Sequence, residues 1–204
     1  MSVDQAGSAR GVRAERQAET RRRLVEVARD MFVNDGYAAT SLDKVAERAG
    51  FSKGAVYSNF AGKEELCMAV LDSIHADQVA AVAEVFAGPG DLDARIDAFV
   101  DWARDGLTQP LWVALESEFG SVARQSQFVA TALRNRNREV REAIEALIDH
   151  VTAEEGITLR LPTSEAATIL LSTGIGLGAL RSIDHTVDVG LLGRVMRSLL
   201  RPAR

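Results

Sequence analysis

The segment from Thr40 to Lys63, TSLDKVAERAGFSKGAVYSNFAGK, constrains the fold more than any other part of the chain. Leu42, Val45, Ala46 and Ala49 recur at the spacing of one helical face. Thr40 is placed to cap that helix with its hydroxyl, and Asp43, three residues on, to reach back to the free backbone donors. Gly50 tolerates the left-handed conformation that ends a helix. A second start follows at once, with Ser52 as cap and Phe51 positioned to staple onto Val56 at the fourth helical position. Val56 and Phe60, four apart, are expected inside. Lys53, Gly54, Ala55, Tyr57, Ser58 and Asn59 are left on or near the outer face.

Two short helices joined by a tight glycine turn are the pattern of a helix-turn-helix, whose second helix enters the DNA major groove. The outer-face chemistry fits that use. Lys53 brings charge, Tyr57 and Ser58 offer hydroxyls to phosphate, and Asn59 carries an amide that pairs with a base edge. Gly54 and Ala55 let the helix sink close, and Ala55 suits a thymine methyl. An ordinary helical hairpin with a solvated polar face fits the same residues.

Charge separates the ends of the chain. Its 204 residues carry a net charge of −5, but residues 1 to 63 hold eleven Lys and Arg against eight Asp and Glu, while the rest hold thirteen against twenty-one. The basic end is the one expected to face nucleic acid. Residues 1–13 are expected to form a disordered basic arm with Arg10 and Arg13, 14–62 the DNA-binding domain, and 63–204 a helical domain. Leu24, Val27, Ala28, Met31 and Phe32 mark the buried stripe of a first helix that Gly36 stops, and at least one of Arg21, Arg22 and Arg23 is placed to reach phosphate.

The segment RRRLVEVARDMFVNDGYAATSLDKVAERAGFSKGAVYSNFAGKEEL resembles the N-terminal domain of the TetR family of bacterial transcription regulators. The features that carry it run in order without a gap: Phe32 to Gly36-Tyr37, Thr40-Ser41, Ala46, Ala49-Gly50, Ser52-Lys53-Gly54, Tyr57, Phe60 and Lys63-Glu64. The resemblance implies that Thr40, Ser41, Tyr57 and Lys63 contact phosphate and that Lys53, Gly54, Ala55, Ser58 and Asn59 face the groove. Gly62 departs from the usual capping residue, which predicts a slightly weaker helix start there.

Periodicity downstream is helical throughout, with breaks at Gly88-Pro89-Gly90, Gln109-Pro110, Gly156 to Pro162, and Asp184 to Val189. The helices are expected near 63–87, 91–107, 110–124, 126–155, 163–183 and 188–201. Phe99, Trp102, Trp112, Leu115, Phe119 and Phe128 fall on inward faces, the apolar enclosure that a small-molecule pocket requires, although plain core fits as well. Glu116 among them would suit a cationic amphipathic ligand. Gly174, Gly176 and Gly178 lack the preceding strand and the spacing of a nucleotide loop, and instead suit close helix packing. The resemblance implies a dimer-forming pair in the last two helices, with Leu170, Thr173, Gly174, Leu177, Leu180, Leu192, Val195 and Leu199 as candidate interface residues.

No nucleophile with its base, metal-ligand spacing or phosphate loop stands out, so neither catalysis, a metal nor a cofactor is expected. The single Cys67 suits a small core position. No apolar run reaches the length of a membrane span, and the first residues lack a signal-peptide core, so no membrane partner is expected and a cytoplasmic location is. The expectation is an all-α, ligand-responsive transcription regulator: an N-terminal three-helix helix-turn-helix domain plus a C-terminal ligand-binding and dimerisation domain. Its partners would be double-stranded operator DNA, a small hydrophobic or amphipathic effector and a second copy of itself. Repression is the favoured mode; activation and ligand-independent binding by the same fold are the alternatives.

Overall fold

A computed structural model describes the backbone at residues 4–106 and 110–201, and side chains at 11–104, 115 and 118–201. Among these residues the chain is a succession of helices: α1 (Asp4–Ala39), α2 (Leu42–Ala49), α3 (Lys53–Tyr57), α4 (Lys63–Phe86), α5 (Leu92–Gly106), α6 (Pro110–Ala123), α7 (Gln127–Glu155), α8 (Thr163–Arg181) and α9 (Gly190–Leu199). The expected downstream helices are found to within a few residues. The one extended pairing described is an isolated antiparallel bridge, Leu159 to Leu200.

The chain divides into two compact units, Met1–Ser73 and Ile74–Arg204. The division falls inside α4, not at Lys63, because the first turns of that helix bury Leu66, Cys67, Val70 and Leu71 with the first unit's core. A second difference lies at the start. Helix α1 reaches back to Asp4, where a disordered arm was expected to Arg13. Residues 4–13 include two Ala, two Arg and a Gln, all good helix formers, beside two Gly.

The first unit is built on α1, which packs against α2 and α3. Leu24, Ala28, Met31 and Phe32 form its buried stripe, as the spacing predicts. Gly36 breaks the helix at φ 83°, a conformation that glycine alone adopts cheaply. Arg21 does not reach outward. Its guanidinium donates to the Asn59 carbonyl at 2.5 Å, pairs with Glu65 at 3.5 Å and lies 4.1 Å over the Phe60 ring. That cation ties α1 to the end of the helix-turn-helix. The Gly62 start of α4 is supported from outside the cap: the Glu65 carboxylate accepts from the Ala61 N–H at 2.8 Å.

In the second unit α7 packs on α6 and α8, and α9 on α5 and α8. Arg95 is the polar centre of one end. It is buried, donates to the carbonyls of Phe86 and Gly90 at 3.1 Å each, and pairs with Glu154 and Glu155. One side chain thus joins the end of α4, the following loop and the end of α7. Buried charge of this kind is tolerable because every strong donor direction has an acceptor. The chain's end closes beside it, where Arg160 N–H donates to Leu199 and Arg201 N–H to Thr158. By length and mean hydropathy α4 is the one described helix that could cross a membrane, contrary to the reading of the sequence. Its apolar residues instead fill helical cores, among them Leu66, Val70, Ile74 and Phe86.

Candidate functional site

The helix-turn-helix forms as its local chemistry dictates, with one shift of role. Ser41, not Thr40, caps α2, its hydroxyl accepting from the Lys44 N–H at 3.3 Å. Gly50 then takes φ 73°, and the helix closes with Gly50 N–H to Glu47 and Phe51 N–H to Ala46, the paired bonds of a Schellman end. Ser52 caps α3 by accepting from the Ala55 N–H at 3.2 Å. Val56 and Phe60 are fully buried beneath it, as expected.

The outer face is narrower than the sequence suggested. Lys53 and Gly54 are exposed, Ala55 is half-buried, and Tyr57 stands 57% exposed. Lys53 Nζ lies 2.5 Å from Asp43 Oδ2, and this hydrogen bond, reinforced by the carboxylate's charge, raises the lysine's pKa. Helix α3 ends at Tyr57, so Ser58 and Asn59 occupy the turn beyond it. Ser58 stays exposed, though its hydroxyl donates to the Ala55 carbonyl.

Three expected DNA contacts are turned inward. Thr40 is 2% exposed, and its hydroxyl donates to the Gly36 carbonyl at 3.0 Å, because it closes the break that Gly36 opens. Asn59 donates its amide to the Ala55 carbonyl at 2.8 Å, since the chain has already left the helix and the side chain caps it. Lys63 Nζ sits 4.2 Å over the Tyr37 ring and 3.3 Å from the Ala38 carbonyl. Ser41 is half-buried and spends its oxygen on the cap. One exposed cation was passed over: Lys44, whose Nζ meets the Ala39 carbonyl at 3.0 Å.

The second unit encloses a cavity of about 290 Å³ with walls from α4, α5, α7, α8 and α9. Phe99 and Trp102 line it, stacked at 5.7 Å, and Phe86 continues the aromatic wall at 5.7 Å from Phe99. The other expected pocket residues do not share this role. Leu115 and Phe119 are buried but do not line the cavity, because they sit on the core side of α6. Phe128 is 55% exposed, since Val129 is the inward residue at the start of α7. The side chains of Trp112 and Glu116 lie outside the described residues. Most of the wall was missed, notably Val82 and Phe86 of α4 and Ile144 and Leu147 of α7. The signal is present as apolar residues three and four apart, a spacing that serves a packed core and a cavity wall alike.

The candidate dimer residues divide in the same way. Leu177 and Leu192 pack with Ala103 and Val189 inside the unit, and Leu170, Gly174 and Leu199 line the cavity. Thr173 and Val195 are half-buried, and the Thr173 hydroxyl donates to the Ile169 carbonyl of its own helix. Leu180 alone of the set is openly exposed, at 58%. Helix α8 leaves Gly176 and Leu180 outward, and Ile183 stands exposed in the turn after it, because the inner face of α8 is committed to α7 and the cavity.

A capped helix-turn-helix with an exposed α3, carried in one chain with a cavity-bearing helical unit, is an arrangement, helical throughout among the described residues, that suits binding to DNA. Residues 24–70 match the family of bacterial regulatory proteins described as the tetR family. That match covers the DNA-binding unit, less than a quarter of the chain. It is 37% identical over 100 residues to the HTH-type transcriptional activator FasR of Mycolicibacterium smegmatis, covering 47% of this chain and 45% of that one. It is 44% identical over 61 residues to the HTH-type transcriptional regulator TtgR of Pseudomonas putida, covering 30% of this chain and 29% of that one. The match thus spans less than half the length of either relative. The solved structure of Escherichia coli NemR in its reduced form superposes with a TM-score of 0.72 at 20% identity, covering 91% of this chain and all of that one. That likeness shows the fold.

Proposed function

We propose that the chain is a cytoplasmic, homodimeric repressor, released from a palindromic operator when a small hydrophobic or amphipathic molecule occupies the cavity of the second unit. The observation that carries this reading is the apolar cavity itself, one wall of which is the later part of α4, a helix that begins in the first unit at Lys63. An effector acts only through its different affinities for two conformations. Moving the population from about 1:99 to 99:1 requires a preference of about 10⁴, roughly 5.5 kcal/mol.

On the DNA side, Lys53, Gly54, Ala55, Tyr57 and Ser58 form the reading face, with Lys44 beside it. Ser41, Thr40, Asn59 and Lys63 hold that face in shape. Two heads reading half-sites about one helical turn apart match the two-fold symmetry of a dimer. No catalytic role is assigned. A second reading, activation, is favoured by one observation: the relative matched over 100 residues carries the name of an activator. The position of the operator relative to the promoter separates the two.

The DNA assignment is tested by selecting duplexes from a random pool with the full chain, then measuring affinity across salt concentrations. Lys53→Ala with Tyr57→Ala is expected to weaken binding at least tenfold and to flatten the slope of log affinity against log salt by about one. Retention of the parent's affinity and slope by the double variant would overturn the assignment.

A further inference from the structure

The two ends of the cavity differ in chemistry. Helices α4 and α7 both line it at length, and their later parts meet in one apolar cluster of Phe86 and Val151 with Leu92 and Ile96. Helix α8 starts at that same end, where Thr163 donates to Asp149 at 2.8 Å. The earlier lining residues of α4 and α7 and the later ones of α8 therefore lie together at the opposite end. Those residues are His75, Gln78 and Val79, with Asn137 and Ile175. Exposure follows the same gradient: Asn137, Val79 and Ile175 are exposed, while Phe86, Leu92 and Val151 are buried. The cavity has an open polar end and a closed apolar end. Thr152, at the closed end, does not alter this, because its hydroxyl donates to the Ile148 carbonyl of its own helix.

Two further observations narrow the occupant. No Lys, Arg, Asp or Glu lines the cavity among the described residues, so the described wall offers a charged ligand group only the His75 imidazole. The wall from His75 to Phe86 covers eleven helical steps, about 16 Å. A volume of about 290 Å³ drawn out along that length suits an elongated occupant. A saturated chain advances about 1.25 Å per carbon for bonds of about 1.52 Å at about 111°, so about twelve carbons fill the length.

The geometry points to a single hydrocarbon chain of about twelve carbons with an uncharged, hydrogen-bonding head as the ligand class. The tail lies against Phe99, Val82 and Phe86, and the head is held at the open end by Gln78 and Asn137. This deepens the effector reading above and rests on it.

The test uses the full chain carrying Trp112→Phe, so that Trp102 is the one indole reporter, with calorimetry alongside. The ligands are 1-octanol, 1-decanol, 1-dodecanol and dodecane, then dodecanoate, dodecyltrimethylammonium and the rigid polycycle pyrene, all below their aggregation thresholds. Affinity is expected to rise about fourfold per methylene up to dodecanol. Dodecanol is expected to bind at least tenfold tighter than either ionised twelve-carbon compound. Gln78→Leu with Asn137→Leu should reduce the advantage of dodecanol over dodecane while leaving the length dependence of the alcohols in place. Tighter binding of an ionised compound overturns the uncharged head. Binding of pyrene with no chain-length dependence overturns the chain. If no compound binds while the same preparation still binds its selected DNA, the effector reading falls with the ligand class.

Discussion

Tyr37 shows how a single side chain can serve the fold of the DNA-binding unit in a way that depends on solution conditions. Its ring stacks on Phe32 at 5.8 Å and lies beneath the Lys63 ammonium. Burial, with the charges of Cys67 and Glu64 behind it, pushes its hydroxyl up to about 12 from an ordinary 10.0. Between those two values the folded protein keeps a proton that the unfolded chain has released. The stability linked to that proton is complete below pH 10 and is lost as pH rises through about 12. The urea midpoint of the parent should therefore fall more steeply across that window than that of Tyr37→Phe, and parallel curves would refute the linkage. The same neighbourhood marks how far single residues could be read from sequence. Val56 and Phe60 were legible because burial follows from spacing. Thr40, Asn59 and Lys63 were not, because a hydroxyl, an amide or an ammonium serves a backbone carbonyl as readily as it serves DNA. Only the position of the Gly36 break and the early end of α3 decide between them.

Helix boundaries were legible for a similar reason, since they are written in caps and breakers: Ser41, Gly50, Ser52, Ser126 and Gly156 all stand where helices start or stop. What periodicity leaves open is which neighbour an apolar face meets. The glycines illustrate the gap. Close helix approach was expected at Gly174, Gly176 and Gly178; Gly178 is buried, but a methyl at Gly174 or Gly176 would meet no described neighbouring atom within 4 Å. The close approach is at Gly193 of α9, where a methyl would come within 2.7 Å of Val100 Cγ2 on α5. Gly193→Ala is expected to destabilise the chain by about 1–3 kcal/mol through overpacking. Gly176→Ala, in an exposed helix interior, should stabilise it by up to about 1 kcal/mol. Urea denaturation of both variants checks the pair, and shifts of the same sign would contradict it. The cavity was half legible for a related reason. Aromatic residues drew attention to Phe99 and Trp102, but the aliphatic wall on α4 and α7 has the same spacing whether it encloses space or fills it.

At the scale of the molecule, the exposed Leu180 at the end of α8 and Ile183 in the turn after it are the strongest guide to self-association. Leu180→Glu combined with Ile183→Glu should convert the proposed dimer to a monomer in sedimentation while leaving its helical circular dichroism unchanged. Leu177→Glu should instead lower helical content, because that side chain is buried and its charge would find no partner there. A dimer that survives the exposed double substitution would place the interface elsewhere. The distribution of charge has a different consequence. Beyond residue 63 acids outnumber bases by twenty-one to thirteen, and at the start of α3 Lys53 is already paired with Asp43. A phosphate must displace a carboxylate to engage that lysine, so arbitrary duplex offers little reward and the body of the chain is repelled by it. Under the proposed function, few copies would be sequestered on the excess of wrong sequence, and a small number of molecules would suffice to keep one correct site filled.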